Sequence, residues 1–214
     1  MGEGHAKHQR TLHILTIGDS LTAGHHQGGR AFHPYSIHLT RLFESAGIPV
    51  KIDQRGCCGE RVLPTMINRL RTILEKDSSY DWIIILAGIN DLIFQGSAEK
   101  VFKEGLRPMY EMSLNHRGGK TKLAILSLME FWSYKPGTES DRGRVLLNTM
   151  IRDYVTHSNQ QDRICFVDLD RYIPFHCVTN EAERKAIWDD GLHLTPAGYD
   201  RMATLIFDAM KTKL

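Results

Sequence analysis

Leu12-His13-Ile14-Leu15-Thr16-Ile17-Gly18-Asp19-Ser20-Leu21-Thr22-Ala23-Gly24 decides how the rest of the chain is read. Leu12 to Ile17 is a short, mainly apolar run that stops at Gly-Asp-Ser, which predicts a strand delivering a serine at its carboxyl end. Four more runs of the same kind follow, Val50 to Asp53, Trp82 to Ala87, Leu123 to Leu128 and Ile164 to Asp168. Between them the apolar residues fall at helical spacing: Val62, Met66, Leu70, Ile73 and Leu74, then Leu147, Met150, Ile151, Tyr154 and Val155. Strands alternating with helices predict an α/β chain with a five-stranded parallel sheet covered on both faces. The last helix is the clearest, with Thr195 as N-cap, Pro196 in the first turn and a stripe of Tyr199, Met202, Ala203, Ile206, Phe207 and Met210. Gly47-Ile48-Pro49 reads as a helix stop before the second strand.

Composition narrows the function classes. The 214 residues are 42% hydrophobic and 24% charged, the balance of an ordinary globular protein, and the length suits one domain over residues 11–214 behind a flexible polar tail, 1–10. No repeat or linker divides the chain. A formal charge of +2 is too small to support a role on nucleic acid. The longest apolar run, Trp82 to Ala87, is far below the ~20 residues of a membrane span, and the first ten residues carry no apolar signal core, so the expected location is cytoplasmic. Cys57 and Cys58 are adjacent and cannot pair with each other; with Cys165 and Cys177 they are expected as reduced thiols. No metal and no cofactor are expected: the cysteines lack zinc spacing, and His25-His26 are adjacent rather than one helical turn apart.

In open parallel sheets ligands bind beyond the carboxyl ends of the strands, and four fragments fall there or just before the last helix. In Gly18-Asp19-Ser20 the serine hydroxyl can act as nucleophile and its own N–H can steady an oxyanion, or Asp19 or Ser20 can simply cap a helix. Thr22 stands where a Gly-x-Ser-x-Gly elbow needs its second glycine, so that elbow is not matched. Asp190-Gly191-Leu192-His193 offers a general base and the carboxylate that orients it, or a solvated turn. Gly88-Ile89-Asn90-Asp91 offers an amide donor, and Gly56-Cys57-Cys58-Gly59-Glu60 a Cβ-free backbone N–H. His25 and His26 either line the acyl or leaving-group pocket or, the preferred reading, form a solvated loop within 25–35; Cys58 is a redox-sensitive gate or, by preference, a small buried filler; and 130–140 is a loop whose Phe131, Trp132 and Tyr134 either wall a substrate or close the core.

Taken in order over residues 12–214, these blocks resemble the SGNH hydrolases, also called GDSL lipases or esterases: Gly-Asp-Ser-Leu at 18–21, Gly59, Gly-Ile-Asn-Asp at 88–91 and Asp-Gly-Leu-His at 190–193. The resemblance implies a flavodoxin-like three-layer α/β/α fold and cleavage of a small-molecule ester or thioester without a metal. It makes Ser20 the nucleophile, His193 the base and then acid, and Asp190 its partner. The Ser20 and Gly59 N–H groups and the Asn90 side chain become the oxyanion hole, with Gly59 chosen over Gly56 although the family's usual Asn ahead of these glycines is missing. Alternatives are a carbohydrate O-acetylesterase or acyltransferase with the same triad, and a non-catalytic flavodoxin-like binding module. Acyl chain length and oligomeric state stay open.

Overall fold

A computed structural model of the chain describes residues 10–94 and 96–214; all but Arg10 of the expected tail lies outside the described residues. Strands β1 (Leu12–Gly18), β2 (Val50–Gly56), β3 (Trp82–Leu86), β4 (Lys122–Leu126) and β5 (Ile164–Val167) form one sheet in the order β2-β1-β3-β4-β5. Every neighbouring pair is parallel. Ile14, Leu15 and Ile17 of β1 and Ile83 to Leu86 of β3 are almost wholly removed from solvent, as strands with helices on both faces require. Each fully buried side chain of this size contributes roughly 1.5–3 kcal/mol of transfer free energy.

Right-handed crossovers set the layers. The chain leaves β1 through α2 (Tyr35–Ser45) toward β2, then turns back through α3 (Ile67–Lys76) to β3 on the other side of β1. The later crossovers, through α5 (Arg107–Gly119) and α6 (Glu139–Thr156), continue in that second direction, so α3, α5 and α6 share a face. Tyr110 of α5 meets Tyr154 of α6 with ring centroids 5.3 Å apart. The final helix α7 (Pro196–Lys211) packs beside α2 on the opposite face, where Phe43 and Phe207 meet edge to face at 5.1 Å. Because the crossovers diverge at β1, a crevice opens beyond its carboxyl end. Gly18 pairs with Gly56 on one side and Leu86 on the other, so β1, β2 and β3 end level at that crevice.

Several expected boundaries shift. β2 runs to Gly56 rather than Asp53, since it stays paired with β1 along its length. The third helix is regular only from Ile67, because Leu63 is extended and Pro64 follows it. The 25–35 segment contains a hairpin pairing His25–His26 with Ala31–Phe32. The 130–140 loop ends early: Thr138 accepts from the Asp141 N–H and caps α6, which starts at Glu139. Thr195 caps α7 as expected, accepting from the Gly198 N–H.

Candidate active site

The turn after β1 is built around Gly18 and Asp19. A Cβ on Gly18 would lie 2.2 Å from Thr22 Oγ1 and 2.3 Å from the Leu86 carbonyl, so only glycine lets the chain turn so tightly against β3. Asp19, fully buried, accepts the Leu21 N–H at 2.9 Å and caps the four-residue helix α1 (Ser20–Ala23), leaving Ser20 as its first residue. Burial pushes the Asp19 carboxyl up to about 7, and the carboxylates of Asp91 and Glu60 act in the same sense against the Leu21 hydrogen bond. Asp19 therefore holds the turn.

At the other end of the chain, the residues before α7 form a tight loop in which Trp188 bridges Leu194 and the Asp189 N–H donates to the His193 carbonyl. Gly191 takes φ +82°, and a Cβ there would lie 2.8 Å from the Trp132 side chain, while its carbonyl accepts the Trp132 N–H. This bend lets one Asp190 oxygen accept the N–H groups of Leu192 and His193, at 3.0 and 2.7 Å. The other oxygen meets His193 Nδ1 at 2.7 Å. Burial alone would raise the Asp190 carboxyl, but the His193 ring and these two N–H donors together hold it below the ordinary value. His193 Nε2 lies 2.9 Å from Ser20 Oγ. The structure thus brings Ser20, His193 and Asp190 into one hydrogen-bonded line, with Nδ1 facing the carboxylate and Nε2 facing the hydroxyl.

The segments after β2 and β3 are laced to this turn. The Cys57 N–H donates to the Gly18 carbonyl, and Gly59 sits in the following turn at φ +74°, where the Glu60 N–H returns to Cys57. Asn90, largely buried at the start of α4 (Ile89–Ile93), donates through Nδ2 to the Glu60 carbonyl at 3.0 Å. One oxygen of its neighbour Asp91 accepts the Val62 N–H at 2.8 Å and the other the Leu63 N–H at 3.2 Å. Asn90 and Asp91 therefore bind the backbone on both sides of the Gly59 turn's exit.

Residues outside the four fragments complete the frame. Arg69 of α3 pairs with Glu60 through Nε at 2.9 and 3.1 Å, reaches the Arg55 carbonyl at 2.9 Å and touches the Gly18 carbonyl at 3.3 Å. One guanidinium thereby ties the ends of β1 and β2 and the Gly59 turn together; an arginine on the polar side of a helical pattern gives no sign of this role. His25 and His26 are not a solvated loop. His26 is buried, and the His25 ring packs on His193 at a centroid distance of 4.2 Å, with its backbone carbonyl accepting the Tyr199 hydroxyl. Cys58 is exposed rather than a buried filler, because the turn it occupies rides on the surface; what burial it has, with Cys57 alongside, raises its thiol. All four cysteines are free. Phe131 is buried against Tyr134, whereas Trp132 is exposed beside Gly191.

A hollow of about 310 Å³ between Trp132, Phe175, Trp188 and Asp190 adjoins the Asp190–His193 pair. A larger one of about 650 Å³, near Phe102, Tyr154 and His157, lies by the segment leading into β5 and is lined by none of Ser20, Asn90, Asp190 or His193. No helix among the described residues is long and apolar enough to cross a membrane.

Known proteins share the family and the fold of this chain. The pattern of the GDSL-like lipase/acylhydrolase family matches residues 16–201, which takes in all four blocks. No curated protein matches the chain. Among solved structures, a lipase/acylhydrolase from Enterococcus faecalis superposes with a TM-score of 0.73 at 21% identity, covering 95% of this chain and 97% of that one. The inhibitor-bound aryl esterase of M. smegmatis superposes at 0.72 and 16% identity, over 95% of this chain and 100% of that one. A family 3 carbohydrate esterase from Clostridium thermocellum gives 0.70 at 20% identity, over 95% and 96%. At these identities the superpositions establish the shared three-layer α/β/α fold.

Proposed function

Because the chain belongs to the GDSL-like lipase/acylhydrolase family, we propose that it is a carboxylic ester hydrolase working through an acyl-enzyme on Ser20, with residues 11–214 as one catalytic domain. The observation that carries this reading is the continuous line from Asp190 through His193 to Ser20 Oγ, at 2.7 and 2.9 Å. With Nδ1–H donated to Asp190, Nε2 of the neutral ring is the acceptor for the serine proton. Ser20 Oγ attacks the ester carbonyl, its proton passes to Nε2, and the tetrahedral oxyanion is met by the N–H groups of Ser20 and Gly59 and by Asn90 Nδ2. His193 returns the proton to the leaving alcohol, then takes one from water, whose attack releases the acid and restores the serine. Asp190 keeps the ring in the required tautomer and balances its transient positive charge.

A sugar ester is the second reading. The exposed face of Trp132 stands beside Gly191, inside the Asp190–His193 segment, where a pyranose ring could stack while its acetyl group reaches Ser20. A panel of p-nitrophenyl esters from acetate to laurate, run beside acetylated sugars, separates the two. Turnover that falls steeply beyond butyrate and is abolished in Ser20→Ala supports a short-acyl esterase, and a preference for the acetylated sugar that Trp132→Ala removes supports the second reading. Hydrolysis by Ser20→Ala at the wild-type rate ends both.

A further inference from the structure

His25 has no part in the acyl-transfer line, yet its ring lies against it. It is wedged between His193, at 4.2 Å, and Phe32, at 5.9 Å edge to face. Its Nδ1 is buried and has no hydrogen-bond partner among the described residues, which is unusual for an imidazole nitrogen. Donor atoms of His25, Asp190 and His193 all lie within 4.8 Å of one another. We propose that these three residues form a site for a zinc-like divalent cation, and that such a cation switches the enzyme off by taking the imidazole that would serve as base. This rests on the esterase reading above for its effect on activity, but not for the binding itself.

The donor chemistry fits. Two imidazoles and one carboxylate are a recurrent zinc set, with water or substrate in the fourth position, whereas magnesium and calcium prefer oxygen alone. A tetrahedral ion with bonds of about 2.0–2.1 Å holds its donors roughly 3.4 Å apart, so side-chain adjustment of about an ångström closes the site. The Asp189 and Asp190 carboxylates supply negative charge beside His25. The buried Nδ1 of His25, without a hydrogen-bond partner among the described residues, is the donor such an ion would engage. Inhibition follows from the nitrogen used: Asp190 faces Nδ1 of His193, so an ion shared with Asp190 takes Nδ1. A metal on Nδ1 displaces the hydrogen bond to Asp190 and shifts the ring's single proton to Nε2, which then faces Ser20 as a donor. That form is not a base, and removing the metal restores the line without any covalent change.

The test uses the full chain, stripped with EDTA and then dialysed. Zn²⁺ is titrated while heat of binding and p-nitrophenyl acetate hydrolysis are followed in parallel. The expected result is saturable binding with a matching loss of at least tenfold in rate, reversed by EDTA. His25→Phe, which keeps an aromatic ring beside His193 but has no donor, should weaken both zinc binding and inhibition by at least about tenfold, since even residues behind the ligands change metal affinity by that much. Zinc inhibition of equal strength in wild type and His25→Phe, or no difference in heat between them, overturns the proposal. If the metal-free protein hydrolyses no ester at all, the esterase reading fails, and the difference in heat still decides whether the site exists.

Discussion

Asp19 shows how a single buried carboxyl beside the nucleophile leaves a mark on the whole protein. In the unfolded chain it gives up its proton near 3.8, and in the folded protein near 7. Below about pH 4 both states are protonated and nothing is lost. Between about 4 and 7 the unfolded chain releases the proton while the folded one keeps it, so folding weakens as pH rises, by up to about 4 kcal/mol when the window is crossed. Asp19→Asn, which can still accept the Leu21 N–H, should flatten this part of a melting-temperature profile and be more stable than the parent at pH 8; an unchanged slope would show that the carboxyl is ionised in the fold. At Gly191 both the positive φ and Trp132 exclude a side chain. Gly191→Ala should cost on the order of 1–3 kcal/mol in denaturant melts and lower kcat well beyond that loss of folded protein, because the bend places both Asp190 and His193. A variant with parental kcat would separate the loop's shape from its chemistry.

At the scale of elements, the lacing between turns matters more than any one strand. Asp91 accepts two backbone N–H groups at the entry to α3, and its neighbour Asn90 holds the Glu60 carbonyl. Asp91→Ala leaves those two donors unpaired in a largely buried place, at about 1–3 kcal/mol each, and should loosen the Gly59 turn. The expected outcome is a lower melting temperature together with a fall in kcat that exceeds the fall in substrate affinity; parental kinetics in a destabilised protein would confine Asp91 to folding. The five strands and α7 were readable from residues because runs such as Trp82–Leu86 and the stripe from Tyr199 to Met210 carry their period locally. The start of α3 was not, since Pro64 breaks a pattern that apolar spacing alone continues. Nor was the hairpin at His25–His26, whose two-residue strands have no period to read.

Over the whole molecule, the proposed chemistry depends on joining residue 20 to residue 193 across a sheet in which β1 lies between β2 and β3. The fragments Gly18-Asp19-Ser20 and Asp190-Gly191-Leu192-His193 were visible in sequence because each carries its function in adjacent residues. Arg69 was not, because its role arises only from contacts made by folding, with Gly18 and Glu60, and the sequence left His25 between a pocket wall and a solvated loop until its contact with His193 was seen. Cys58 was misplaced for the same reason, its exposure being a property of the turn it occupies. The proposed chemistry requires that the ring of His193 activate the hydroxyl of Ser20. Treating the folded protein with a fluorophosphonate and mapping the adduct by peptide mass measures it most directly. One adduct per chain is expected, on Ser20, formed at least about 10³-fold more slowly in His193→Ala, the scale on which serine hydrolases depend on their base. Labelling elsewhere, or labelling of Ser20 at an unchanged rate in His193→Ala, would contradict it.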